Sequence, residues 1–249
     1  MANCEFEFTP DALEQTAMSV TGFVGREELS RPFRFELELL STDKEMAFED
    51  IVNRPAKLSI RRENDGEESV ICGQVIDFEQ RNETRSAAYY HAILVPRVWT
   101  LSYTLQSCVF QNKTVETIIT DVLAEHGLTQ ADVRFELTDT YSERDFCVQY
   151  RESDLDFICR LMEFEGMYFY FDHSGDQEVL VISDDRSNAS FINTTQASDV
   201  SYHPYEGNLA PDDIQTVNEF IYNEKVVTGK VVLKDYNYRE SETELLAEA

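Results

Sequence analysis

Three glutamates that lie near one another in the sequence, Glu152, Glu163 and Glu165, are the first candidates for chemistry in this 249-residue chain. Two carboxylates that flank a glycosidic bond are the machinery of retaining and inverting glycosidases, so a cell-wall hydrolase is one hypothesis. The competing interpretation is that these residues cap a predicted helix or lie on its solvated surface. We favour that interpretation because acidic residues are common on protein surfaces. For Glu152 we expect an ion pair with Arg160 or a local capping role.

Metal ligation is the second chemistry to consider. The segment 172–184 superficially resembles a calcium loop, but Gln177 stands where the EF-hand pattern requires glycine. A plain hairpin turn is the better interpretation. The histidines are scattered, without the spacing of zinc ligands. They are His91, His126, His173 and His203. We expect His126, in the last turn of a predicted helix, only to complement the helix dipole.

Nucleophilic cysteine is the third possibility. The five cysteines are Cys4, Cys72, Cys108, Cys147 and Cys159. The odd number and the lack of a Cys-x-x-Cys pair predict free, partly buried thiols in a reducing cytoplasm. Cys147 and Cys159 lie in apolar segments, so we expect buried structural thiols there. Since the sequence also contains no Gly-x-Ser-x-Gly, Walker or Gly-x-Gly-x-x-Gly motif, it predicts no enzyme and no catalytic, cofactor-binding or metal-binding residue.

Most of these candidates lie in or next to the stretch 146–171, which combines a predicted strand, a helix, a glycine stop and a second, aromatic strand. Phe146, Val148 and Tyr150 alternate with Cys147 and Gln149. This period of two is typical of a half-buried strand.

Two helices are predicted from their caps and their apolar spacing. Ser153, followed three residues later by Asp156, has the form of a capping box, and Gly166 is placed to end that helix. An earlier amphipathic helix has Thr114 as its N-cap candidate and Gly127 as its C-terminal glycine.

The segment VQYRESDLDFICRLMEFEGMYFYF, which starts at Val148, resembles a characteristic segment of VgrG proteins. These are the tip proteins of the bacterial type VI secretion system, and they are related to the baseplate hub of contractile-tailed phages. The residues that match are Val148, Gln149, Tyr150, Glu152, Ser153, Asp154, Phe157, Arg160, Leu161, Glu163, Gly166, Tyr168 and Phe171, while Phe169 and Tyr170 match only as aromatics. The segments GREELSRPFRFELEL and YHAILVPRVWTLSY, from Gly25 and Tyr90, are also similar to the family.

The expected fold class is α+β, mainly antiparallel β. Strands and turn signals such as Asn64-Asp65-Gly66 favour a barrel or a sandwich near the N-terminus, with Gly73 as a candidate bulge. The resemblance implies phage baseplate-hub-like β-barrel domains with a small α/β insert. The predicted domains are residues 1–104, a first antiparallel β-barrel; residues 105–185, an α/β insert with two helices and a β-hairpin; and residues 186–249, the truncated start of a second β-barrel.

The formal net charge of −27 is the most unusual bulk property. An acidic surface repels phosphate, which argues against nucleic-acid binding and against binding to anionic membranes. No apolar run approaches the length of a membrane-spanning helix. The acidic N-terminus has no apolar core, so we expect no secretory signal and synthesis in the cytoplasm.

The resemblance implies a structural tip or hub component of a contractile injection machine. Such a component forms a homotrimer, docks on the Hcp tube hexamer, contacts baseplate proteins and secreted effectors, helps to puncture target membranes, and needs no cofactor. We therefore expect assembly in the bacterial cytoplasm and delivery to a target cell on firing. The alternatives are the baseplate hub of a prophage tail or tailocin and, in another class, the cell-wall hydrolase.

Overall fold

A computed structural model describes residues 4–13, 18–62, 68–188, 201–202, 216–217, 219–226 and 228–248. The chain divides into two compact units, Met1–Asn193 and Thr194–Ala249. The fold is mainly antiparallel β with two α-helices, which confirms the expected class. None of the helices in these ranges is both long and apolar enough to cross a membrane.

Six antiparallel strands form a closed barrel in the first unit, in the order β1-β2-β3-β6-β5-β4. They are β1 (Cys4–Pro10), β2 (Met18–Glu28), β3 (Arg31–Ser41), β4 (Pro55–Arg62), β5 (Glu68–Glu83) and β6 (Ala88–Val95). The alternation in β3 works as the sequence predicts, since Phe33, Phe35, Leu37 and Leu39 are buried inside. Closure leaves no free strand edge, because β1 pairs with β4.

The bulge expected at Gly73 is not there. Gly73 pairs in regular register with Ala56, and the shift in β5 falls between Val75 and Asp77 instead. Glycine is needed at position 73 for a different reason. A Cβ atom there would lie 2.7 Å from the carbonyl oxygen of Val95.

A second hydrophobic core follows the 3₁₀ helix Arg97–Tyr103. Helices α1 (Val115–Glu125) and α2 (Asp154–Glu165) pack with a three-stranded sheet. Its strands are β8 (Val133–Glu136), β10 (Tyr168–Asp172) and β11 (Val179–Ser183), in the order β10-β11-β8. The predicted hairpin between β10 and β11 is confirmed, and β8 runs parallel to β11.

Both predicted helix starts are confirmed. The hydroxyl of Thr114 accepts a hydrogen bond from the backbone N–H of Thr117 at 3.2 Å, and Ser153 accepts one from Asp156 at 3.0 Å. The other half of the capping box differs from the usual form, because the Asp156 carboxylate accepts from the Ser153 hydroxyl at 2.7 Å. Gly166 has a φ of 74°, a left-handed conformation that suits a helix end.

Strands β7 (Leu105–Phe110) and β9 (Cys147–Ser153) form a separate two-stranded antiparallel sheet, which we call the ribbon. A register shift between Gln106 and Ser107 lies opposite Arg151, whose φ is 51°. The inner side of the ribbon packs on the helices, as the stacking of Phe110 on Phe157 shows.

In the unit Thr194–Ala249, the described strands are short. They are β12 (Ser201–Tyr202), β13 (Thr216–Val217), β14 (Val232–Asp235) and β15 (Leu245–Glu248). The sequence pattern predicts strands over 216–222 and 225–233; residues 216–217 and 232–233 are strand, and residues 219–226 contain none. The predicted domain limits, and a second barrel beginning at residue 186, stay predictions.

Candidate functional site

Glu152 forms the ion pair that the sequence predicts. Its carboxylate accepts hydrogen bonds from Nη2 of Arg160 at 2.6 Å and from Nε at 3.0 Å. These bonds lower the pKa of Glu152. A general acid needs a raised pKa, so this environment favours a structural carboxylate over a catalytic one.

The other two glutamates are not brought together with Glu152 in a shared site. Glu165 pairs with Arg144, whose guanidinium lies 5.0 Å from the ring centre of Phe164, and Glu163 is exposed on α2. Each carboxylate therefore serves its own local contact or faces solvent.

His126 does more than complement a helix dipole, so that expectation is incomplete. Its Nε2 lies 2.7 Å from a carboxylate oxygen of Asp154, which is fully buried at the start of α2. The side-chain amides of Gln149 and Gln106 donate to the other oxygen, at 2.7 and 2.8 Å. Burial raises the pKa of Asp154, but these amides and His126 lower it below its ordinary value. Spacing along the sequence gives no sign of this network, which connects α1, α2 and the ribbon.

The two cysteines singled out in the sequence lie in different settings. Cys147 is buried as expected, with Nη1 of Arg144 4.0 Å from its sulfur, whereas Cys159 is only half-buried. Burial, followed by the nearby charges of Asp156 and Glu163, raises the pKa of Cys159 to about 11, and since the thiolate is the nucleophilic form, this setting argues against a nucleophile at Cys159.

The aspartates of the segment 172–184 stabilise turns. Ser174 and then Arg134 lower the pKa of Asp172 to about 2. Asp184 accepts from the backbone N–H groups of Thr138 and Asp139. Within the described ranges, no three His, Cys, Asp or Glu side chains are placed to hold a metal ion. That the whole chain binds no metal stays a prediction.

The outer side of the ribbon is the most unusual surface in this part of the chain. Five large apolar side chains on it are between 50% and 70% exposed. They are Leu105, Val109, Phe146, Val148 and Tyr150, and we call this set the outer ribbon face. The period-two pattern is confirmed, and Cys147 is buried as expected; Gln149 is buried with it, and the larger apolar side chains face outward. The polar Gln149 points inward since Asp154 binds it there.

A site of this kind suits binding better than catalysis. Contiguous apolar patches of several hundred Å² on a soluble protein mark interaction surfaces. Two ionisable pairs next to it, His126 with Asp154 and Glu152 with Arg160, are structural contacts. The outer ribbon face is therefore better suited to a protein contact than to a reaction.

Comparison with known proteins gives a consistent result. Residues 26–249 match the profile of the family described as phage tail baseplate hub (GPD). The chain is 33% identical, over 86% of its length, to the type VI secretion system spike protein VgrG1b of Pseudomonas aeruginosa, of which it covers 28%. It is 37% identical, over 73% of its length, to the spike protein VgrG4b of the same organism, of which it covers 22%.

The solved structures include a similar protein from E. coli, c3393. It is described as a component of the type VI secretion system with structural similarity to the T4 bacteriophage tail proteins gp27 and gp5. The likeness has a TM-score of 0.67 at 30% identity, and it covers 74% of this chain and 50% of that one. The present chain thus spans about a quarter of the length of the two curated relatives.

Proposed function

This chain belongs to the phage tail baseplate hub (GPD) family, and from that membership we propose that it is the hub part of a type VI secretion spike. The observation that carries the proposal is the family match over residues 26–249, on a chain that contains a closed six-stranded barrel. Both curated relatives named above are type VI spike proteins, which favours a secretion machine over a prophage tail.

In the proposed role, three copies form a ring that docks on the end of the Hcp tube and helps to push effectors through a target membrane. Such a part must transmit force without opening. A closed barrel suits this requirement because it has no free edge at which strands could separate or pair wrongly. We propose that the ring assembles in the bacterial cytoplasm, contacts baseplate proteins there, and leaves the cell on firing.

The proposed role is mechanical and needs neither catalysis nor a cofactor. What supports this is the environment of the candidate glutamates, since Arg160 binds Glu152 and Arg144 binds Glu165. The purified chain is therefore expected to leave peptidoglycan intact. Hydrolysis that is lost in Glu152→Gln or Glu165→Gln would instead support the cell-wall hydrolase.

The experiment that tests the hub role is deletion of the gene in its host, in a strain from which other spike genes have been removed. Release of the tube protein into the medium is expected to stop, and the intact gene is expected to restore it. Normal release without the gene would contradict the proposal. Loss of infective or bactericidal tail particles, with secretion unchanged, would show the prophage or tailocin hub.

A further inference from the structure

We propose that one copy of this chain binds a second copy through the outer ribbon face. An acidic surface of the second copy covers this face. The inference rests on the proposed function, since it assigns a place to the contact between copies that the ring requires. The sequence pattern marks Phe146, Val148 and Tyr150 as one side of a half-buried strand, and the structure places that side outside.

The first argument is the composition of the face. Val109 lies directly opposite Val148, and Ser107 lies opposite Tyr150, so outward side chains of the two strands lie side by side and only Ser107 among these four is polar. A carboxylate oxygen of Glu152 lies 3.4 Å from the backbone nitrogen of Tyr150, and Arg160 pairs with that carboxylate. In a chain with 48 acidic residues, this is a place where two like-charged copies can come into contact without burying an unpaired negative charge from this side.

The second argument is size. An aromatic side chain buries roughly 150–250 Å², so Phe146 and Tyr150, each about two-thirds exposed, offer on the order of 250 Å² together. With Leu105, Val109 and Val148, the face offers on the order of 500 Å². That is a large share of the roughly 800 Å² that each partner contributes to a stable protein interface.

The third argument is charge. Arg151 lies at the register shift of the ribbon, with its guanidinium 5.4 Å from the ring centre of Tyr150. It has no ion pair among the described residues, although acidic side chains outnumber Lys and Arg by 48 to 21 in this chain. A second copy supplies the missing carboxylate from its acidic surface. The aromatic and arginine side chains are also the types that dominate binding energy at interfaces.

The contact is heterologous, because the outer ribbon face and Arg151 of one copy bind a different, carboxylate-bearing surface on the next. A heterologous contact leaves the same face open on the second copy, so it can continue and close a ring of three. A self-complementary contact would stop at a dimer and would bring two Arg151 side chains together.

The test is a matched pair of substitutions, Val148→Glu on the outer ribbon face and Val24→Glu on the barrel strand β2. Both add one negative charge at an exposed valine, Val148 being 50% and Val24 73% exposed. Mass would be measured by light scattering and native mass spectrometry across a range of concentrations, with circular dichroism to verify the fold. The wild type and Val24→Glu are expected to give three times 28.8 kDa, about 86 kDa. The trimer of Val148→Glu is expected to dissociate already at protein concentrations at least about tenfold above those at which the wild-type trimer dissociates. The reason is that the new carboxylate would be buried in the contact.

A second variant, Arg151→Glu, reverses the one charge that the proposal uses and should weaken association in the same direction. A wild-type trimer that survives both Val148→Glu and Arg151→Glu would overturn the inference and leave the hub role intact. An equal loss of association in Val24→Glu would also overturn the inference. The loss would then follow from an added negative charge at any exposed position and not from the outer ribbon face. A wild type that stays monomeric would overturn both this contact and the self-association in the proposed function.

Discussion

Glu178 and Arg97, 81 positions apart, join the barrel to the α/β part of the first unit. One carboxylate oxygen of Glu178 accepts from both the backbone N–H and the Nε–H of Arg97, at 2.9 and 3.1 Å. Glu178 is buried, and Asp132 binds the same guanidinium at 2.9 Å. Because Arg97 follows the last barrel strand and Glu178 precedes β11, this contact is one of those that hold the two parts together.

Replacing Glu178 by Gln is expected to destabilise the chain by about 2 kcal/mol. The substitution keeps the size of the side chain but leaves a partly buried arginine with only Asp132 as a charged partner. Urea unfolding, with the slope compared between variants, measures this change. Glu143→Gln is the matched control because Glu143 is exposed, and it removes the same charge. An equal loss of unfolding free energy in both variants would show that the buried pair adds nothing to stability.

A close backbone approach inside the barrel makes a second prediction. Gly73→Ala places a methyl group 2.7 Å from the carbonyl oxygen of Val95, so the strands β5 and β6 must separate locally. We expect a loss of about 1–3 kcal/mol in the free energy of unfolding. Gly22→Ala, on strand β2, meets only a flexible Glu38 carboxylate at 3.8 Å and should change stability by less than about 0.5 kcal/mol. Similar melting temperatures for the two variants would contradict this reason for the glycine.

The features that the sequence predicts well are those that depend on near neighbours. The caps at Thr114 and Ser153 and the inward side of β3 follow from residues within a few positions of each other. The features it misses depend on distant partners. Gln149 is buried because it joins a network around Asp154 whose other members, His126 and Gln106, lie 28 and 48 positions from Asp154. The apolar residues beside Gln149 are left outside. Neither fact is present in the period-two pattern, which is the same for both directions of the strand.

The turn at Asp184 predicts a change in acid stability. Burial raises the pKa of this carboxyl, but hydrogen bonds from Asp139, Thr138 and Tyr141 lower it from 3.8 to about 2. The folded state binds the ionised form of Asp184 more favourably than the unfolded state does. The contribution of Asp184 to stability is therefore complete above pH 3.8, and it disappears as the pH falls towards about 2. Asp184→Asn should therefore lower the melting temperature at pH 6 and reduce the fall between pH 4 and 2. Asp139→Asn, which keeps the backbone donor, is the control, and the same change in that variant would contradict the role of Asp184.

His173 provides the last prediction, a loss of stability in mild acid. Its Nδ1 accepts a hydrogen bond from the backbone N–H of Cys72 at 3.1 Å, which connects the β10–β11 hairpin to the barrel. Burial lowers the pKa of His173 below 6.5, with the charge of Asp172 acting in the opposite direction. The unfolded state therefore takes up the proton first, and stability should decrease as the pH falls below 6.5.

Protonation would also place a hydrogen on Nδ1 of His173, where the Cys72 N–H already points. The β10–β11 hairpin and the barrel should then lose this hydrogen bond. Thermal unfolding between pH 7.5 and 5 measures the slope in the wild type, in His173→Gln, and in the control His91→Gln. We expect a smaller slope only in His173→Gln. The raised pKa of Glu27, which faces His173 at 3.9 Å, acts in the opposite direction, and comparing variants that all keep Glu27 removes its effect. Equal slopes in all three proteins would show that the titration of His173 is not coupled to folding.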